Sequence, residues 1–313
     1  MPKEDKAVHQ QDKVFQNNLT SISLRKWRER IARALTFLCA GISIFTTLAI
    51  VYVLISQSWG FFKNVSLTEF LTGTNWQPPR SFGVLPLVAG TLQIAVGAGL
   101  LAIPIGLFSA VYLSEYASAR ARNIIKPVLE LLAGIPTIVY GFFAVSFVTP
   151  LLQKTLIPDL PIYNALSASI VVGIMILPMV ASLSEEALRA VPHELREGGL
   201  ALGATKGEVV RGIVIPGALS GVMSAFLLAL SRAVGETMAV TLAAGAQPNL
   251  TLDPRESIET MSAYIVLVSQ GEAPYGSLEY QTIFAVGLYL FAITLVINLL
   301  ALRLVTKYRQ KYT

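Results

Sequence analysis

One cysteine and two histidines occur among 313 residues, and that scarcity removes several function classes at once. A lone Cys39 closes no disulfide within the chain and nucleates no metal cluster. It lies in an apolar run and reads as a small hydrophobe. His9 falls in the polar N-terminal stretch and His193 in a charged loop, so no apolar segment carries a histidine for acid–base work. No catalytic residue and no metal ligand set is expected. A Gly-Lys dipeptide is also missing, which excludes a P-loop and ATP binding by that route. The net charge of +5 comes without zinc spacing or an RNA-binding aromatic pattern, so no nucleic-acid partner is expected. Charge itself is scarce, at 14% of residues, against about 25% in a soluble domain.

What the chain has instead is apolar length. Hydrophobic residues make up 54% of it and are gathered in runs between charged clusters. Runs of about 18 or more apolar residues read as bilayer spans. The first, 34–56, is too long for the apolar core of a signal peptide, and no A-x-A pattern closes it, so it reads as a retained span. Five more follow at 84–113, 127–152, 165–183, 213–246 and 282–302. The second and fifth are long enough to require tilting, bending or protrusion. Pro86, Pro104, Pro136, Pro178 and Pro216 lie in or near spans, where proline often marks a kink.

Lysine and arginine set the expected orientation. With six spans, 19 basic residues fall on the face holding the N-terminus and every second loop, 4 on the other, and Arg232 within a span. The positive-inside rule then places both termini in the cytoplasm. Residues 1–30 form a polar N-terminal tail and 31–310 the membrane domain. The main outer loops are 57–83 and 247–281. The second is acidic and contains a short apolar stretch, 261–268, too short to span; it either lies on the interface or dips back into the protein.

The inner loop 184–212 is patterned. Pro192 can open a helix, with Glu194 and Glu197 in its first turns, where negative charge suits the dipole. Gly203 permits a turn, and a second short helix follows toward Arg211. Taken alone, this is compatible with an ordinary amphipathic loop. Its spacing, Glu197-Gly-Gly, three residues, Gly203, nine residues, Ile213-x-Ile215-Pro216, resembles the coupling-loop motif of bacterial ABC importer permeases. The resemblance implies that Glu197, Gly203, Ala204 and Thr205 dock on a cytoplasmic ATPase. Gly198 and Gly199 replace the two alanines of the family pattern, and Ile215 replaces its leucine. Two glycines cost roughly 1–2 kcal/mol of helix propensity.

A second segment lies deep in the fifth run, Arg232-Ala-Val-Gly-Glu236-Thr-Met-Ala-Val240. A charge within a span costs at least about 2.5–3.5 kcal/mol on insertion scales. Arg232 and Glu236 are four apart, so they share one helix face and can pair. Such a pair is either a self-neutralising structural anchor or the lining of an anion path, since arginine's planar fork suits oxyanions. Glu130 could serve the same path or simply reach water. This segment is similar to the phosphate-specific transport permeases, as are Phe82-Gly-x-Leu-Pro-Leu-x-x-Gly-Thr91 and Gly134-Ile-Pro-Thr-Ile-Val-Tyr-Gly141. The N-terminal extension, the outer segment 57–83 and Phe70-Leu-x-Gly-Thr-x-Trp76 resemble the C-type rather than the A-type subunit. Gly97-Ala-Gly99-Leu-Leu-Ala102 matches a dinucleotide fingerprint on paper but sits mid-span, where small residues serve helix packing.

The resemblance implies an all-α polytopic membrane protein of the type I ABC importer permease kind, with six transmembrane helices and both termini cytoplasmic. It implies a bacterial cytoplasmic-membrane permease that moves inorganic phosphate by alternating access, and not an enzyme. Implied partners are an A-type sister permease, two copies of an ATPase subunit that binds ATP and Mg, and an external phosphate-binding protein, within membrane lipid. The implied substrate path includes Arg232, Glu236, Thr237 and Thr137. Alternatives are a permease for molybdate, sulfate or phosphonate, an ATP-independent channel or secondary transporter, and a membrane-embedded enzyme. The last would need a convergent acid–base set that the spans do not supply.

Overall fold

The computed structural model describes residues 4–271 and 273–308. Lys3, Arg309 and Lys311 of the basic set, Glu272 of the acidic loop and the last two positions of the 31–310 domain lie outside them. The described residues are helical almost throughout, and among them six helical stretches are long and apolar enough to cross a membrane: Glu29–Phe62, Leu85–Tyr116, Thr137–Thr155, Ala165–Arg189, Lys206–Val234 and Leu278–Arg303. The chain divides into two units, up to Ser56 and from Gln57 onward, with the boundary inside the first of these stretches.

The first unit is a single helix. It belongs to α1 (Glu4–Phe62), which begins within the stretch expected to be a polar tail. From Ile31 to Ile55 its large apolar side chains are exposed or half-exposed, with Phe37 80% and Phe45 73% exposed. A helix apolar all round and unburied is matched to lipid rather than water.

The second unit is built on α3 (Leu85–Val111) and α7 (Ala165–Arg189). Their seam is lined by small residues, including Ala98, Ala102, Ala168 and Val172, all fully buried. A Cβ added at Gly97 would meet Ser169 Oγ at 2.6 Å, and one at Gly99 would meet Leu230 Cδ2 at 2.7 Å. The apparent fingerprint is therefore a packing surface, as small residues let membrane helices approach closely. Against this seam lies α10 (Ile215–Val234), where a Cβ added at Gly221 would meet Ala187 Cβ at 2.5 Å.

The segment 57–83 folds as an aromatic cluster. After α2 (Leu67–Thr72), the strands β1 (Trp76–Gln77) and β2 (Ser81–Phe82) pair antiparallel, with Trp76 opposite Phe82. Phe61, Phe70, Trp76, Phe82 and Tyr264 are buried together, and Trp76 meets Tyr264 edge-on at 5.0 Å. This hairpin is the one departure from all-α among the described residues.

Two expected spans are broken. The run 127–152 is interrupted at Gly134-Ile135-Pro136, separating α4 (Ala119–Gly134) from α5 (Thr137–Phe143) and α6 (Thr149–Thr155). Proline disfavours the helical conformation of the residue before it, and Ile135 is extended, with ψ 129°. The run 213–246 stops at Gly235, and a short helix, α11 (Met238–Ala243), follows. The stretch 261–268 forms the first part of α12 (Met261–Gln270), with Met261 to Tyr264 buried. It dips back into the protein. The final span lies in α13 (Leu278–Tyr308).

Candidate functional site

The loop between α7 and α10 folds as helix, turn, helix. Pro192 precedes α8 (His193–Ala201), and Glu194 lies in its first turn. Gly203 adopts φ +85°, and its amide donates to Leu200 O at 3.0 Å. That left-handed position closes the helix end. The Ala204 amide donates to Gly199 O at 3.2 Å. Thr205 and Glu208 form a reciprocal cap at the start of α9 (Lys206–Val209). A wider turn, Val210–Val214, leads into α10. Glu197 is exposed and makes no ion pair among the described residues.

Arg196, beside it, faces inward. Its Nη2 lies 3.1 Å from Glu115 Oε1 and donates to Leu188 O at 2.7 Å, while Nη1 donates to Val191 O. The Lys206 ammonium donates to Glu115 O and sits 4.8 Å over the Tyr116 ring. The helix–turn–helix is thus bolted to the end of the second span. A cavity of about 530 Å³ remains between them, lined by Arg189, His193, Arg196, Glu197 and Lys206 among others. Nearby, fully buried Glu185 gathers Lys126 at 2.6 Å, Arg189 at 3.5 Å and Arg122 at 3.8 Å, tying α4 to α7.

At membrane depth the expected Arg232–Glu236 pair is not formed. The helix ends at Val234, so the residues do not share a face. The Glu236 side chain is buried, and Oε1 accepts from Ala239 N at 3.2 Å, capping α11. Thr237 Oγ1 donates to Gly235 O at 3.3 Å. Arg232 instead lines a cavity of about 320 Å³ with Glu130, Ser182, Met175, Pro178 and Met179. Thr137 opens α5, which packs against α11 through Gly141, and neither Thr137 nor Thr237 lines that cavity.

On the far loop, Glu259 is 5% exposed, and burial pushes its carboxyl up to about 7. Its backbone oxygen lies where a Cβ on Gly90 would fall, at 2.5 Å. Sequence reasoning missed Glu115 and Glu185. Glu115 meets its partner 81 positions away, so no local spacing announces the contact. For Glu185, the only signal is a carboxylate at the end of an apolar run facing a basic loop.

A chain of six apolar spans, with a folded helix–turn–helix between the fourth and fifth and an arginine near the end of the fifth, defines a multi-pass membrane protein. More particularly, it belongs to the family of binding-protein-dependent transport system inner membrane components, whose pattern matches residues 102–310. It is a transport subunit of the inner membrane rather than an enzyme. The probable ABC transporter permease protein YqgH of Bacillus subtilis is 33% identical over 292 residues, 92% of this chain and 94% of that one. The phosphate transport system permease protein PstC of Haemophilus influenzae is 32% identical over 306 residues, 91% of this chain and 95% of that one. A crystal structure of a bacterial alginate ABC transporter, in complex with an alginate pentasaccharide-bound periplasmic protein, contains a chain of the same fold. Its TM-score is 0.65 at 16% identity, covering 92% of this chain and 99% of that one.

Proposed function

We propose that the chain is the C-type permease subunit of an ATP-driven phosphate importer. The observation that carries this is Arg232, a lone guanidinium exposed to a cavity otherwise lined mainly by apolar side chains and Glu130. Arginine presents paired donors that fit an oxyanion. Similarity to phosphate permeases at 32–34% identity supports phosphate as that oxyanion.

In this reading both termini are cytoplasmic. An external phosphate-binding protein docks on the outer loops and releases inorganic phosphate between this chain and an A-type sister permease. Two copies of an ATPase subunit bind ATP and Mg, which this chain does not. Glu197, Gly203, Ala204 and Thr205 form the surface on which one ATPase copy docks. The Arg196–Glu115 pair supports it by making the loop move with the second span. ATP acts as a differential preference for one conformation. The cavity then opens to the other side, and Arg232 guides the anion past the break that Glu236 and Thr237 form, with Thr137 nearby on α5.

The test is labelled phosphate uptake at micromolar substrate in cells lacking their own high-affinity importer. They carry this chain with its partners, as wild type or Arg232→Gln, with excess sulfate and molybdate as competitors. Uptake that needs Arg232 and ignores both competitors is expected. Uptake blocked by either competitor would assign another oxyanion.

A further inference from the structure

The break in the fifth span leaves backbone carbonyls without the amide four residues on. At membrane depth there is no water to take its place. One such group, Glu236 O, accepts a hydrogen bond of 2.7 Å from Ser262 Oγ, 26 positions later. Ser262 is 6% exposed, and its Oγ lies 3.3 Å from Thr260 Oγ1. The neighbouring Met261 amide donates to Thr91 Oγ1 at 3.1 Å, and Thr91 donates to Leu87 O at 2.7 Å. The buried end of α12 is therefore fastened on one side to the span break and on the other to α3. Its opposite end, Ser269 to Gly271, is exposed.

We propose that Ser262 is a positioning residue for translocation. Its hydroxyl couples the re-entrant helix α12 to the break that follows Arg232, so that a push on the exposed end of α12 reaches the arginine-bearing end of α10. The link is one side-chain bond, so it can be removed without disturbing the spans. The partner that pushes is the external binding protein, and in that respect the proposal rests on the transport reading above.

The experiment uses the assembled importer in proteoliposomes with excess loaded binding protein, comparing wild type with Ser262→Ala. It reads the KM for loaded binding protein, the maximal uptake rate, and hydrogen–deuterium exchange along the chain. Expected are an unchanged KM, a maximal rate lower by about tenfold, and faster exchange confined to residues 235–243. Should Ser262→Ala fail to assemble, Ser262→Cys keeps the size and weakens the donor, and the same changes are expected of it. A maximal rate within twofold of wild type, or a lower rate with no change of exchange at 235–243, would overturn the proposal. The exchange measurement does not depend on the substrate. If the wild type carries another oxyanion, the phosphate reading fails, and Ser262 is then judged with that anion.

Discussion

Arg196 and Glu115 stand 81 positions apart in sequence and 3.1 Å apart in space, with side chains 11% and 9% exposed. Removing one partner of a buried pair leaves the other charge uncompensated, at a cost of about 3–5 kcal/mol. Arg196→Met is therefore expected to lower the thermal midpoint of the purified chain sharply, and Glu115→Gln to do so less, since a neutral acceptor remains. Glu197, one residue on, is exposed and makes no ion pair among the described residues. Glu197→Lys should leave the midpoint unchanged while reducing ATPase co-purification. A parallel loss of stability in Glu197→Lys would show that it serves the fold and not docking.

The glycines of the same loop are expected to respond in opposite directions. A Cβ added at Gly198 meets nothing within 4 Å, so Gly198→Ala should raise stability by up to about 1 kcal/mol. Gly203 holds φ +85°, and an alanine there is strained by about 1–2 kcal/mol. Thermal melts of the two variants against wild type check both signs.

Glu236 and Glu130 differ in what they meet. Glu236 accepts from the Ala239 amide; Glu236→Gln keeps an acceptor and should retain most uptake, while Glu236→Ala loses the cap, worth about 1 kcal/mol, and should lower it. Glu130 shares the Arg232 cavity, and Glu130→Gln should change uptake while leaving assembly intact. Equal loss of uptake in Glu236→Gln and Glu236→Ala would restore a charge role for Glu236.

Burial holds the Glu259 carboxyl protonated up to about 7, against an ordinary 4.5. The folded chain then binds more protons than the unfolded chain between those values. Stability is fully present below about pH 4.5 and falls as pH rises to about 7. The whole window corresponds to roughly 3 kcal/mol. Melting curves across that range should flatten in Glu259→Gln, and a slope as steep as wild type would place the titrating group elsewhere.

The spans were legible because apolar length is a property of composition, and the helix–turn–helix because Pro192 and Gly203 mark local backbone states. A signal for one break is also present, Ile135 before Pro136, but the apolar residues on both sides favour a single span. The other break, at Gly235, has no proline, and a single glycine inside an apolar run is as often a packing residue as an end. Reading through it placed Arg232 and Glu236 on one face. The partners of Arg196, Glu185 and Ser262 are set by how distant helices pack, which spacing along one helix does not encode.

Between α9 and α10 lies the turn Val210–Val214, in which the Ile215 amide reaches back five residues to Val210 O. A helix of ordinary pitch would use one residue fewer there. Each residue of an α-helix turns the chain by about 100°. Deleting one position within 210–214 would let that turn close at ordinary pitch and leave α8 and α9 near their present angle, whereas a further insertion there would swing them around the axis of α10 by about that angle, carrying Glu197 away from the side it now presents. The nine-residue interval is thus an angular phase, and a further insertion there would act like a change of aim.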